Sequence, residues 1–146
     1  MKRILFVCTG NTCRSPMAEV LLKQKIKWSG VKGLNVSSAG INAVDGSKMS
    51  ENSKIALKQL GISPRAFKSR KLTQEILKKS DVVICMTKAH KDALGSNAKI
   101  YTISELTGEG DIKDPYGGTV ADYIECSHQI ERACNIIMDK IIFGNE

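Results

Sequence analysis

Residues 6–19, FVCTGNTCRSPMAE, join a short apolar run to a helical segment through a loop of small, polar and thiol-bearing residues. Lys2 to Val7 reads as a buried strand. Ser15-Pro16 then opens a helix, with Ser15 as its N-cap and Pro16 in its first turn. The loop between them is poor core material. A loop that turns into a helix N-terminus aims several backbone N–H groups at one point, and the helix dipole adds partial positive charge there. Gly10 lets the backbone curl tightly, and Asn11 tolerates a left-handed conformation. Arg14 presents a planar fork that can grip two oxygens of an anion. Cys8, at the base of such a cradle, would have its thiolate stabilised by the same field, with the Ser15 hydroxyl able to donate to it. The loop is thus built to hold an anion above a nucleophile.

Further along, short apolar runs alternate with helical stretches, and no repeat or linker divides them. Met17, Val20 and Leu21 form the inner face of the first helix, with Leu22 alongside. Leu34 to Ser38 reads as a strand, Ser50 to Leu60 as a helix stopped at Gly61, and Thr73 to Lys79 as a helix with a threonine cap. DVVICM, residues 81–86, is the clearest strand, since β-branched residues suit a strand buried on both faces. A helix over Lys88 to Leu94, a strand over Lys99 to Ile103 and a loop over Gly108 to Gly118 follow. The last helix places Val120, Tyr123, Ser127, Ile130, Cys134, Ile137 and Ile141 on one face. The expected fold is α/β: a single domain over residues 1–146, doubly wound, with a four-stranded parallel sheet and helices on both faces. In such sheets ligands bind beyond the carboxyl ends of the strands, where strand order reverses, and the loop after the first strand belongs there.

Bulk properties narrow the function. Lys plus Arg number 22 against 15 Asp plus Glu, so the net charge of +7 suits an anionic substrate or an acidic partner. No block of basic residues resembles a nucleic-acid arm, and one Trp among few aromatics offers no stacking platform, so no nucleic acid is expected. The apolar run at the start is too short for a signal peptide or a membrane span, which points to a cytoplasmic protein without a membrane partner. Five cysteines fit neither a disulfide framework nor a zinc site; Cys8 and Cys13 lack a second pair or flanking histidines. Neither metal nor cofactor is expected. His90 and His128 read as surface or capping residues.

The run Val7-Cys8-Thr9-Gly10-Asn11-Thr12-Cys13-Arg14-Ser15-Pro16-Met17-Ala18-Glu19 resembles the signature of the low-molecular-weight protein tyrosine phosphatases. The resemblance continues through Ser38-Ala39-Gly40, the strand Asp81 to Met86, and Asp114-Pro115-Tyr116-Gly117, and so covers essentially the whole chain. It implies that Cys8 attacks phosphorus to form a phosphocysteine. It implies also that Arg14 and the loop amides from Thr9, Gly10, Asn11, Thr12 and Cys13 onward, with Ser15 nearby, hold the phosphoryl oxygens. On its own Asp114, before Pro115, reads as a turn residue; the resemblance makes it the acid that protonates the leaving group and then the base that activates water. Tyr116 would wall the cleft. Cys13 has two readings, a reversible disulfide partner for Cys8 under oxidation or a small buried residue filling the loop. The implied partners are phosphorylated proteins, met by a monomer.

Thr12 bears on the substrate. The family commonly carries a bulky apolar residue before the second cysteine, whereas the whole run Cys-Thr-Gly-Asn-Thr-Cys-Arg-Ser resembles a bacterial subgroup of protein arginine phosphatases. A flat phosphotyrosine ring packs on an Ile methyl; a phosphoarginine guanidinium has an N–H that a Thr hydroxyl can accept. Phosphoarginine is therefore the favoured substrate, with phosphotyrosine the alternative. Arsenate reduction would need a relay of further thiols, and Cys85, Cys126 and Cys134 fall in a buried strand and the last helix. A non-catalytic phosphoprotein-binding module would need neither Cys8 nor Asp114.

Overall fold

The computed structural model describes residues 2–64 and 66–142. Strand β1 (Lys2–Cys8) runs through its centre, with parallel neighbours β2 (Leu34–Gly40) and β3 (Val82–Cys85); β4 (Ile100–Thr102) completes the order β2-β1-β3-β4. Side chains of β1 alternate between two apolar layers: Ile4, Phe6 and Cys8 enter one, Leu5 and Val7 the other. Because both layers are covered, the strand reads as a continuous apolar run without polar alternation.

The first layer is closed by α1 (Arg14–Ser29), α2 (Glu51–Gln59) and α6 (Val120–Ile137), with α6 packed on both other helices. The second is closed by α3 (Gln74–Lys79) and α4 (Lys88–Leu94), which place Ile76, Leu77 and Leu94 against Leu5, Val7 and Val83. Phe6, Met17 and Ile130 have no exposed surface. Each such burial contributes roughly 1.5–3 kcal/mol and fixes the helices against the sheet. From β1 the chain first steps to one edge and later returns to the other side, so strand order reverses at β1. The loop after β1 lies at that point, as expected.

Three local expectations are corrected, and a fourth, for Ile141, falls outside the described side chains. Ser15 is not the N-cap of α1: the helix starts at Arg14, Cys13 occupies the cap position without a side-chain bond, and Ser15 turns beneath the loop. The last strand stops at Thr102, because Thr102 and Glu105 form a reciprocal capping box that starts α5 (Ile103–Thr107). Val120 is partly exposed, since the first turn of α6 projects past the core. Cys126 and Ala133 join the buried face in its place. Ile141 lies in a π-helical turn, Met138–Ile142, and its side chain is outside the described residues. Among the described residues no helix is long and apolar enough to cross a membrane.

Candidate active site

A cavity of about 240 Å³ opens at the carboxyl end of β1, lined by residues 8–14 together with Asp114 and Tyr116. The expected site residues therefore converge, apart from Ser15, which lies just below. Cys8 is buried at the end of β1, with Sγ 2.8 Å from Ser15 Oγ. Ser15 Oγ accepts from Asn11 Nδ2 at 2.9 Å, which leaves its own hydrogen free to point at the sulfur. A thiolate at Cys8 thus has a hydroxyl donor already oriented.

Asn11 is the buried keystone of the loop. Its φ of 56° is left-handed, and its amide is engaged at both ends: Nδ2 donates to Ser15 and Ser38, while Oδ1 accepts from the Arg70 backbone N–H. Ser69 also donates to its carbonyl. These bonds hold a non-glycine residue in a conformation costing about 1 kcal/mol or more. The expectation for Gly10 is corrected: it has no left-handed φ, and a Cβ there would meet only Thr12 Oγ1, at an ordinary 3.8 Å. The glycine the loop depends on is Gly40, at the end of β2. A Cβ at Gly40 would lie 2.5 Å from the Thr9 carbonyl and 2.9 Å from the Asn11 nitrogen, so any side chain would push the loop away.

Arg14 is buried, and its guanidinium is set by protein acceptors. Nη1 donates to the Ile112 carbonyl at 3.0 Å and Nη2 to Thr9 Oγ1 at 3.4 Å. Nη2 also lies 3.6 Å from Asp114 Oδ2. The Asp114 side chain is half exposed, so this pair adds little stability; its value is placement of a carboxyl at the cavity mouth. Asp114 Oδ1 accepts from the Tyr116 N–H at 3.0 Å, which fixes the Asp-Pro-Tyr turn. Tyr116 is 80% exposed and stands at the rim, where a bound side chain would meet it. Thr12 also lines the cavity, and among the described residues its hydroxyl has one weak contact, 3.7 Å to Cys13 Sγ.

Cys13 is buried, with Sγ 3.5 Å from both Ser50 Oγ and Tyr123 Oη. Burial and the neighbouring thiol push the Tyr123 phenol up, so it stays protonated. All five cysteines are unpaired. Burial pushes the thiols of Cys85, Cys126 and Cys134 up to about 12, so none is a ready nucleophile for a thiol relay.

For His90 the surface reading is corrected, while the capping one holds. His90 is buried beside the loop, with Nε2 2.9 Å from Thr9 Oγ1 and Nδ1 3.1 Å from Thr87 Oγ1, whereas His128 is exposed. The junction of β3 with α4 sits next to the β1 loop, and His90 occupies the first turn of α4. The spacing Thr87-x-x-His90 is a capping signal, and its position after a central strand could have drawn attention to the site. Burial, with the Arg14 guanidinium, lowers His90 to about 4, against the modest opposing pull of Asp111 and Asp114. Above the ordinary value of 6.5 the ring is neutral folded or unfolded and contributes no pH dependence. Below it only the unfolded chain takes up the proton, so stability falls as pH drops from 6.5 toward 4. Urea unfolding at pH 7 and pH 4 should show a loss in the wild type exceeding that in His90→Gln by on the order of 2–3 kcal/mol.

The family model for low molecular weight phosphotyrosine protein phosphatases matches residues 3–142. The chain belongs to that family. It is thus a cysteine-dependent protein phosphatase, acting on phosphorylated proteins. A protein-arginine-phosphatase from Geobacillus stearothermophilus is 38% identical over 146 residues, covering 95% of each chain. The low molecular weight protein-tyrosine-phosphatase PtpB of Staphylococcus haemolyticus is 37% identical, covering 88% of this chain and 91% of its own. The solved structure of an arginine phosphatase from Geobacillus stearothermophilus superposes with a TM-score of 0.88 at 37% identity, covering 98% of this chain and 94% of that one. Overall identity does not separate the two substrate classes, so the cavity lining has to.

Proposed function

We propose that this phosphatase hydrolyses protein phosphoarginine through a phosphocysteine on Cys8. The Cys8 thiolate attacks phosphorus as the P–N bond to the arginine breaks, and the Asp114 carboxyl gives its proton to the departing nitrogen. Water then attacks the phosphocysteine, Asp114 takes its proton, and phosphate leaves with the thiolate restored. Arg14 and the amides of the loop, at the N-terminal end of a sixteen-residue helix, hold the equatorial oxygens as charge develops. What supports both roles is that the half-exposed Asp114 carboxyl lines the cavity beside Arg14.

The observation that carries the arginine reading is the Thr12 hydroxyl, which lines the cavity with only a weak protein contact. It can accept a guanidinium N–H, which a phosphotyrosine ring does not offer. Thr12→Ile removes that acceptor and puts a methyl wall in its place. The expected cost for a phosphoarginine peptide is roughly 1–3 kcal/mol, or about one to two decades in kcat/KM, while a phosphotyrosine peptide gains. The signature is a crossing of preferences. Uniform loss on both peptides would mean that isoleucine merely distorts the loop.

Cys13 is proposed as a redox partner of Cys8. Forming the disulfide requires its thiol to leave Ser50 and Tyr123. Mild peroxide should inactivate the wild type in a way a thiol reductant reverses, and Cys13→Ser irreversibly, because Cys8 then proceeds past the sulfenic acid. Mass spectrometry decides: an oxidised loop peptide lacking the two-hydrogen loss contradicts the switch. A monomer in a reducing, cytoplasmic setting fits five unpaired thiols.

A further inference from the structure

His90 and Thr9 form a hydrogen-bonded chain behind the catalytic arginine, and its proton positions follow from counting donors. Thr87 Oγ1 accepts the His90 backbone N–H at 3.2 Å, as the cap of α4. The Thr87 hydroxyl is half-buried, and among the described residues His90 Nδ1 is the acceptor within its reach, at 3.1 Å. If Nδ1 carried the proton, the Thr87 hydrogen would lose its protein acceptor among the described residues and would have to turn to solvent. With Thr87 donating to Nδ1, the ring proton sits on Nε2 and is donated to Thr9 Oγ1, 2.9 Å away. Thr9 Oγ1 already receives Arg14 Nη2, so both its lone pairs are engaged and its own hydrogen is directed elsewhere. Thr9 is exposed and lines the cavity, so that hydrogen is free to turn to the space where an anion would sit.

We infer that His90, as the Nε2–H tautomer, is a positioning residue for phosphoryl transfer: it locks the Thr9 hydroxyl so that its oxygen anchors Arg14 and its hydrogen is offered to a bound phosphoryl oxygen. This rests on the phosphatase reading of the cavity. His90 itself does not reach the reacting atoms; it acts through Thr9. Arg14 has a second anchor at the Ile112 carbonyl, and with Thr9 the two acceptors hold both ends of its fork. Removing one frees the guanidinium to swing toward Asp114, which is available 3.6 Å away. The effect should appear when charge builds on the phosphoryl oxygens, and hence in kcat more than in KM.

Two measurements test the chain, and they fail separately from the phosphatase reading. Nitrogen-15 NMR of the imidazole in the wild-type protein reads the tautomer without any turnover. A protonated Nε2 and an unprotonated Nδ1 are expected, and the reverse assignment overturns the inference. The second is a double-mutant cycle on nitrophenyl phosphate with His90→Ala, Thr9→Val and their combination. Each single change should lower kcat about five- to ten-fold with KM within about two-fold, and the double should be within about two-fold of Thr9→Val alone. His90→Gln, whose amide can still donate to Thr9, should recover most of the loss and also serves if the alanine variant folds poorly. Losses that multiply in the double variant, or a His90→Gln enzyme as slow as His90→Ala at full folding, would remove Thr9 as the intermediary.

Discussion

Cys8→Ser should lower kcat on any phosphate ester or phosphoramidate by roughly 10⁴-fold or more, while thermal unfolding and phosphate binding change little. A serine oxygen at Cys8 would still meet the Ser15 hydroxyl, 2.8 Å from the present sulfur, so the pocket keeps its shape. What it loses is the anion. An alkoxide is far harder to form than a thiolate, and among the described residues no side chain stands beside position 8 as a general base; its polar neighbour is another hydroxyl. Anion binding survives because the proposed cradle is Arg14 with the loop backbone, held by Asn11 and Gly40, none of which the substitution touches. Turnover near the wild-type rate in a pure sample would remove Cys8 from the mechanism.

Asp114→Asn should produce a loss graded by the leaving group. With a peptide phosphoarginine, whose departing nitrogen must be protonated, kcat should fall roughly 10²–10³-fold. With a nitrophenyl phosphate, whose phenolate leaves without help, the fall should be roughly ten-fold, reflecting the second step, where Asp114 is proposed to activate water. Asparagine keeps the size of the side chain, and its carbonyl can still accept from the Tyr116 N–H, so the turn should persist. It cannot give up a proton to the substrate. Equal losses on both substrates would make Asp114 a structural turn residue, which is how Asp-Pro reads without the family resemblance.

The fold was legible because the chain states its periodicities plainly. The apolar runs of β1 and β3 are buried on both faces, and the three- and four-residue spacing of α6 places Tyr123, Ser127, Ile130, Cys134 and Ile137 in the core. The loop between Cys8 and Arg14 was legible because its chemistry is local. Ser15 misled because a Ser-Pro pair ordinarily marks a cap, whereas here the hydroxyl serves the sulfur and Cys13 takes the cap position uncapped. Asn11 takes the left-handed turn that its residue type allows and Gly10 does not share it; what holds the turn is an Asn11 side chain tied to residues 27 and 59 positions away in sequence. Such ties leave no local pattern. The burial of His90 against Thr9 was missed likewise, since strand order brings α4 beside a loop 81 residues earlier in the chain. Gly40 is conspicuous only once the Thr9 carbonyl is seen against it.

The central claim, that this cavity is shaped for a phosphorylated guanidinium, is tested most directly by kcat/KM for two peptides of one sequence, one carrying phosphoarginine and the other phosphotyrosine. With the Thr12 hydroxyl accepting from the guanidinium, the phosphoarginine peptide should be preferred by about ten-fold or more. A preference for the phosphotyrosine peptide, unchanged in Thr12→Ile, would contradict the arginine assignment and leave a tyrosine phosphatase.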